Sequence, residues 1–397
     1  MSRLKFFRYW LILLIIAFTT MLYPIAVGPF SGLMLAIIFF SSGFIFFFFP
    51  SIRKDDFPLI LLFGLILFSA LFHVASFRFS TIAYSFLLIT TFACFRKLLK
   101  TNALDCLRYL EVIRYIIYAY GIVLLVQQVS VLAGISPLNM PWAYPNPFKL
   151  NSLAHEPSYV GATLTLLMYS HLKIWRKMTG GDNKQDFFYN RMLWISYIYV
   201  CLTNGSSWTI FTLFLMLLFL FKKQRMLFIV LGVIGLGLIP LLNLEPIERL
   251  VEFIPAVFSG DTEYISSVDL SASARMNPLL YYIQDINLFS SNFWFGYGVD
   301  YSRSSLIARL LGTYEYMEQG NATGGMFSFF YDFGFIALVV FFLCLKRYAL
   351  KCWLSFPFIL WLFFFLFNGF NTYLTWMFFI LMNATLYFEK GVIDARL

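Results

Sequence analysis

Residues 243–325 read NLEPIERLVEFIPAVFSGDTEYISSVDLSASARMNPLLYYIQDINLFSSNFWFGYGVDYSRSSLIARLLGTYEYMEQGNATGG. This interval is polar, whereas the chain on both sides of it is almost continuously apolar. It contains many of the acidic residues and four arginines: Arg249, Arg275, Arg303 and Arg309. Loops of this length are usually functional or disordered. The apolar and aromatic runs at 279–282 and 292–297 predict a folded loop that covers a polar site at a membrane face.

The composition predicts an all-α polytopic membrane protein. Of the 397 residues 60% are hydrophobic, the mean hydropathy is +0.78, and only 12% are charged, about half the share usual in soluble proteins. The apolar runs are about 15–20 residues long without alternation, which favours spanning helices over a barrel. The net charge of +9 does not indicate a nucleic-acid partner, because the basic residues lie between apolar runs, where membrane orientation requires them.

The apolar runs predict about twelve transmembrane helices. Spans 1–9 occupy residues 1–242, with a short outward loop at 134–157; residues 243–325 form the large outward loop, and residues 326–397 hold spans 10–12 and a tail. The side of the membrane with these loops carries only six of the 29 Lys and Arg: Arg78, Lys149, Arg249, Arg275, Arg303 and Arg309. By the positive-inside rule, both termini are therefore cytoplasmic. Residues 104–115 are predicted to form a separate amphipathic segment at the membrane interface.

A His-Glu pair stands where span 6 begins, in the sequence Lys149-Leu-Asn-Ser-Leu-Ala-His155-Glu156-Pro157-Ser158. Both side chains can accept a proton. Proline is tolerated in the first turn of a helix, so Pro157 places Glu156 at the helix N-cap. The alternative is that Glu156 only stabilises the helix N-terminus through the helix dipole.

Arg275 lies among small, uncharged residues in Ser271-Ala-Ser-Ala-Arg275-Met-Asn-Pro278, so a bulky ligand can approach it. Arginine makes bidentate contacts to phosphate and is always charged. The alternative is that Arg275 pairs with Asp269 or Asp285 and only ties the loop together.

Three further features leave their alternatives open. The polar break at 204–207 (NGSS) has two interpretations, a ligand-binding segment or a tight turn between spans. Residues 321–325 (NATGG) have three: a backbone that approaches a ligand, a glycosylation sequon or a plain turn. Asp332, inside span 10, is a functional acid or pairs with a neighbouring helix. His73 and His171 are predicted to be satisfied packing positions. No metal or cofactor is expected, because the chain has no phosphate-binding loop, dinucleotide fingerprint, metal-ligand cluster or nucleophile elbow.

In the order of these motifs the chain resembles the bacterial O-antigen polymerase family, within the O-antigen ligase and polymerase superfamily. The resemblance covers residues 115–345. Its motifs are Lys149, Glu156-Pro157-Ser158 entering a span, Thr203-Asn-Gly-Ser-Ser207 between spans, Arg275 in the long loop, Phe295-Gly296-Tyr297-Gly298 after it, and residues 321–334 leading into span 10.

The resemblance implies a membrane enzyme that joins oligosaccharide repeat units carried on undecaprenyl pyrophosphate, at the periplasmic face of the bacterial inner membrane. It implies a C-type-like membrane glycosyltransferase fold with one long periplasmic loop, and neither nucleotide sugar nor required metal. The partners implied are the lipid-linked oligosaccharide and membrane lipid, and a chain-length-determining co-polymerase is compatible with them.

The leaving pyrophosphate needs cations and the acceptor hydroxyl needs a base, which assigns roles to the candidate residues. Glu156 is the base with His155 behind it, and Arg275 acts in both catalysis and pyrophosphate binding. The remaining pyrophosphate and substrate contacts are Lys149, Ser206, Ser207 and Asn321.

Two other functions stay open: an O-antigen ligase that transfers finished glycan to the lipid A core, and a lipid-linked oligosaccharide flippase. The superfamily ligases have a histidine before a late span, where this chain has Asn321. The polymerase family often has arginine where this chain has Lys149, and lysine keeps the charge but loses the planar fork. A flippase is expected to show repeated halves and charges within its spans, and neither is clear.

Overall fold

The computed structural model describes residues 3–21, 32–74, 79–139, 146–154, 156–180, 189–221, 226–227, 230, 252, 255–268, 280, 283, 286–302, 325–367 and 369–394. In these residues the regular structure is helical, and no strand occurs. The helices are α1 (Arg3–Thr20), α2 (Gly32–Phe48), α3 (Phe57–Phe72), α4 (Phe79–Leu99), α5 (Cys106–Leu132), α6 (Pro157–Thr179), α7 (Arg191–Thr203), α8 (Ser207–Leu220), α9 (Thr262–Val268), α10 (Ser291–Phe295), α11 (Gly325–Tyr348), α12 (Phe356–Phe367) and α13 (Tyr373–Asp394). A 3-10 turn, Lys54–Asp56, precedes α3.

Four stretches are long and apolar enough to cross a membrane: Lys54–Phe72, Phe79–Leu99, Cys106–Leu132 and Ser328–Tyr348. They indicate a helical membrane protein. The other predicted spans also coincide with helices, except the ninth, at residues 226–242, most of which lie outside the described residues. The count of twelve spans and their orientation stay predictions.

One predicted boundary is wrong. The amphipathic segment 104–115 and span 5 from residue 116 are not divided, because α5 runs without a break from Cys106 to Leu132. Asp105 begins this helix as its N-cap, and its side chain accepts a hydrogen bond from the Arg108 N–H at 2.8 Å. The buried residues Leu110, Ile113 and Ile117 continue the packed face along the same helix.

By packing, the chain divides into two compact units. Unit 1 contains Met1–Ser41, Phe95–Glu248 and Ile380–Leu397, and unit 2 contains Ser42–Cys94 and Arg249–Phe379. The predicted division at residues 242 and 325 concerns sides of the membrane, and packing does not test it.

Unit 1 is built around α6, most of whose residues are buried. Hydrogen bonds between hydroxyl groups join α6 to its neighbours inside the core: Thr165 and Tyr197 are 2.8 Å apart, and Ser170 and Thr385 are 2.6 Å apart. Such pairs satisfy polar side chains that lipid cannot satisfy.

Unit 2 has a core of aromatic rings. Phe341 contacts Trp361 and Phe379 at centroid distances of 5.7 and 5.6 Å, and Phe92 contacts Trp376 at 5.9 Å. These tilted and edge-to-face arrangements are the ones that ring quadrupoles favour. The many phenylalanines of the sequence thus lie both in the packed core and on the exposed surface of the described residues.

Candidate functional site

The start of α6 places Glu156 as the sequence predicts. Pro157 is the first helical residue, and Glu156 is the N-cap, with extended backbone at φ −129° and ψ 151°. The half-buried carboxylate makes no capping hydrogen bond to a helix N–H; its Oε2 accepts one from the Ser158 hydroxyl at 3.2 Å. Capping by hydrogen bonds therefore does not account for Glu156, although the helix dipole still favours its charge.

The polar break between α7 and α8 consists of residues 204–206, and α8 begins at Ser207. Asn204 is fully buried, and its Oδ1 accepts a hydrogen bond from the Thr209 hydroxyl at 2.9 Å. Ser206 is the N-cap of α8 and is half-buried, without a capping side-chain bond. The break is thus a tight turn, as one alternative held, and its position decides whether it can also meet a ligand.

A second loop, residues 146–154, packs directly on this break. Asn204 Nδ2 donates to the Leu150 carbonyl at 2.6 Å. Gly205 has φ +74°, and a Cβ atom there would overlap the carbonyl group of Phe148. Only glycine allows both the backbone conformation and the close approach. Lys149, which is exposed, is therefore held beside the 204–206 break.

Buried polar side chains fix the conformation of the 146–154 loop. Gln127 of α5 donates from Nε2 to Asn151 Oδ1 at 3.0 Å, and its Oε1 accepts from the Ser152 N–H at 2.8 Å. Ser152, with φ +48°, also donates its hydroxyl to the Tyr120 carbonyl at 2.7 Å. These residues position Lys149, although no motif in the sequence assigns them to the site. The available signal was a glutamine pair, Gln127-Gln128, inside an apolar run.

The two helices that begin at this site run side by side in the same direction. Gly161 of α6 lies so close to α8 that a Cβ there would be 2.5 Å from Thr209 Cα, and further along the rings of Tyr169 and Phe219 are 5.5 Å apart. The N-termini of α6 and α8 are therefore neighbours. A helix N-terminus carries partial positive charge and free N–H groups, so two of them beside Lys149 favour an anion.

Lys149, Glu156 and the 204–206 break, which come from separate parts of the sequence, are thus held within one compact unit. We call them the N-terminal cluster. Three predicted site residues, His155, Arg275 and Asn321, lie outside the described residues, as does the rest of the NATGG motif before Gly325. Among the described residues no group of three or more His, Cys, Asp or Glu is placed to hold a metal ion.

A second polar centre lies in unit 2, where α11 is interrupted at Gly334 (φ +76°, ψ −179°). Gly296 of the FGYG motif packs against this break so closely that a Cβ on it would overlap the Asp332 carbonyl. Backbone hydrogen bonds join the two segments: Tyr297 N–H donates to Tyr331 O at 2.8 Å, and Gly298 N–H donates to Asp332 O at 3.2 Å. We call this contact the glycine clasp.

Asp332 is used within the clasp. Its buried carboxylate accepts the Ser302 N–H at 2.8 Å, and its carbonyl also accepts the Ser69 hydroxyl of α3 at 2.8 Å. His73 Nε2 lies 3.0 Å from the Gly296 carbonyl oxygen and carries the proton there, because a carbonyl only accepts. Asp332 and His73 therefore hold the loop and the helices together. The alternative predicted for Asp332 was pairing with a neighbouring helix; its carboxylate instead accepts a backbone N–H of the loop, and only its carbonyl accepts from a helix, α3.

His171 departs from its predicted role as a satisfied packing residue. It is fully buried in α6, and neither ring nitrogen has a hydrogen-bond partner in the part of the chain that the structure describes. Its ring stacks on Trp175 at 6.2 Å. It is a packing position, but its polar atoms are not satisfied.

Comparison of the chain with protein-family models, with curated proteins and with solved structures finds no match in any of the three.

Proposed function

We propose that the protein is an O-antigen or related surface-polysaccharide polymerase in the bacterial inner membrane, joining undecaprenyl-pyrophosphate-linked repeat units at the periplasmic face. The observation that supports this best is the N-terminal cluster. It brings an exposed lysine, two helix N-termini and a carboxylate together at one end of a helical bundle. A diphosphate leaving group needs positive charge and an acceptor hydroxyl needs a base, and the cluster offers both.

In the proposed reaction the acceptor hydroxyl attacks the anomeric carbon at the reducing end of the growing glycan. The new glycosidic C–O bond forms as the bond from that carbon to the diphosphate oxygen breaks. Glu156 accepts the hydroxyl proton, and lipid diphosphate leaves with the bonding electron pair. General-base assistance of this kind contributes about 10²- to 10⁴-fold.

The cluster stabilises the leaving group by electrostatics. Negative charge grows on the diphosphate as the bond breaks, and fixed N–H groups and Lys149 lie ready for it without reorganisation. Ser206 and Ser207 begin α8 at the same place. Arg275, Asn321 and His155 stay predicted site residues; they lie outside the described residues, and their roles are those that the sequence and its resemblance imply.

The experiment that tests this function is deletion of the gene, followed by electrophoretic sizing of surface glycan and extraction of lipid-linked sugars. A polymerase deletion leaves a single repeat unit on the lipid core and no ladder, and the wild-type gene restores the ladder. A core without sugar but with long lipid-linked polymer would instead identify a ligase. Lipid-linked single units trapped on the cytoplasmic face, with no core-attached sugar, would identify a flippase.

A further inference from the structure

The short helix α10 packs against residues within the membrane-crossing helices. Phe293 and Trp294 contact Phe335 at centroid distances of 5.5 and 5.7 Å, and Phe295 contacts Phe68 at 5.4 Å. Phe335 lies in the crossing stretch Ser328–Tyr348 and Phe68 in Lys54–Phe72. A segment that the sequence assigns to the outward loop therefore lies beside hydrocarbon-crossing helices.

The depth of this contact follows from the α3–α11 pair. One end of the pair carries the exposed Arg347–Asp55 ion pair, with N–O distance 2.6 Å, which marks a membrane surface. Phe68 and Phe335 each lie about 20 Å from that end at roughly 1.5 Å of rise per residue, in a hydrocarbon layer about 30 Å thick. Helix tilt shortens this distance along the bilayer normal, so tilt moves the contact away from the opposite membrane surface and towards the middle of the bilayer.

The backbone of this segment suits such a depth. Non-helical backbone inside a bilayer needs protein partners for its polar groups. The N–H groups of Gly296, Tyr297 and Gly298 donate to Asn292 O, Tyr331 O and Asp332 O, and the Gly296 carbonyl oxygen accepts from His73. The backbone N–H groups of the irregular stretch that follows α10, residues 296–298, are thus satisfied by protein.

The side chains suit it as well. Residues 286–299 (INLFSSNFWFGYGV) contain no charged residue. Phe289 is 100% exposed and Trp294 41% exposed, and both Phe335 and Phe68, which Trp294 and Phe295 contact, are exposed too. The indole N–H of Trp294 already donates to the Leu288 carbonyl at 3.0 Å, so the ring can enter lipid without losing a water partner. This exposed apolar face continues the lipid-facing surface of α3 and α11.

We propose that residues 286–299 form a re-entrant segment in the half of the bilayer farther from Arg347, with Phe289 and Trp294 facing bilayer lipid. The occupant of the aromatic face is lipid, because that face is continuous with the exposed face of two crossing helices at the same depth. The inference does not rest on the proposed function, since it uses only packing, depth and exposure.

The test is nitroxide scanning of the full-length protein in phosphatidylcholine–phosphatidylglycerol vesicles. A spin label at Phe289→Cys is introduced in a Cys352→Ser background, since Cys352 is the exposed native cysteine and the other four are buried or half-buried. Collision rates with oxygen, which concentrates in lipid, are compared with those with a water-soluble nickel chelate. Ile60→Cys on α3 is the lipid reference, and Ile52→Cys beside the charged turn is the water reference; both residues are exposed.

We expect the ratio of oxygen to nickel collision rates at position 289 to be closer to the value at the lipid reference, Ile60, than to the value at the water reference, Ile52. A ratio on the Ile52 side would overturn the proposal, and so would low collision with both reagents, which would mean that protein covers this face. Leu288→Cys, also exposed, repeats the measurement at a neighbouring position if the label at 289 disturbs folding.

Discussion

The N-terminal cluster in unit 1 and the glycine clasp in unit 2 both depend on a close contact between a loop and a glycine, but they differ in how exposed their polar side chains are. In each, a loop lies directly on a glycine, Gly205 in one and Gly334 in the other, because no side chain separates the two backbones. In the cluster the charged groups stay accessible: Lys149 is exposed and Glu156 half-buried. In the clasp Asp332 is buried and accepts a backbone N–H. Accessible polar groups can act on a ligand, whereas buried, hydrogen-bonded ones hold structure.

The largest expected effect is on catalysis, at Glu156. Glu156→Gln keeps the size of the side chain and removes its basicity, so polymerisation falls about 10²- to 10⁴-fold. Thermal stability changes little, because glutamine keeps an oxygen that can accept the Ser158 hydroxyl. Rates of chain extension in membranes and thermal unfolding in detergent measure the two quantities. Glu111→Gln, an exposed acid on α5, is the matched control, and an equal loss of activity in both variants would contradict the comparison.

The next effect is on stability, at the clasp. Gly296→Ala places a side chain on a backbone with φ +83°, and the new methyl group overlaps the Asp332 carbonyl. The backbone strain and the steric overlap together lower the free energy of unfolding by about 3 kcal/mol or more. Gly64→Ala in α3, where nothing lies within 4 Å of the new methyl group, is the control. Equal melting temperatures for the two variants would show that the clasp is not a rigid contact.

Substitutions of Asp332 test whether this buried acid stabilises the fold through its hydrogen bond. Asp332→Ala leaves the buried Ser302 N–H without its carboxylate partner, at a cost of about 2 kcal/mol. Asp332→Asn keeps an acceptor oxygen and retains most of the stability. Thermal unfolding measures the stability of both variants. A loss of stability in Asp332→Asn as large as that in Asp332→Ala would mean that the charge, and not the hydrogen bond, stabilises the fold.

The smallest expected effect is at Lys149. Lys149→Met removes the charge at similar length and weakens lipid-diphosphate use about tenfold, the size of one charge-assisted contact. The diphosphate is charged before the bond breaks and gains more charge as it breaks, so the loss is measured as a fall in kcat/KM. Lys149→Arg restores activity because it keeps the charge. An unchanged kcat/KM in Lys149→Met would remove the lysine from the site.

The sequence predicted the helices well, because apolar runs bounded by charge or proline specify where a helix lies in a membrane protein. The α6 N-cap at Glu156 and the break after Thr203 follow from local rules. It predicts less well where a helix begins: residues 104–115 are assigned to an amphipathic segment ahead of span 5, but α5 runs continuously from Cys106 to Leu132.

The contacts between distant segments could not be read from the sequence. Gly205 against Phe148, Gln127 against Ser152, and Gly296 against Asp332 each join residues that no local pattern links. The FGYG motif was recognised as a pattern, but its partner at Gly334 depends on how α10 and α11 pack. Such long-range backbone approaches are set by tertiary packing rather than by periodicity.

The most direct test of the central claim is reconstitution. Purified protein in proteoliposomes is given a lipid-diphosphate-linked repeat unit, and products are sized by mass spectrometry while free lipid diphosphate is quantified. We expect glycans of two or more repeats, with one lipid diphosphate released per new linkage, and loss of both products in Glu156→Gln. Substrate that remains as single units with the wild-type protein, or equal turnover by Glu156→Gln, would contradict the account.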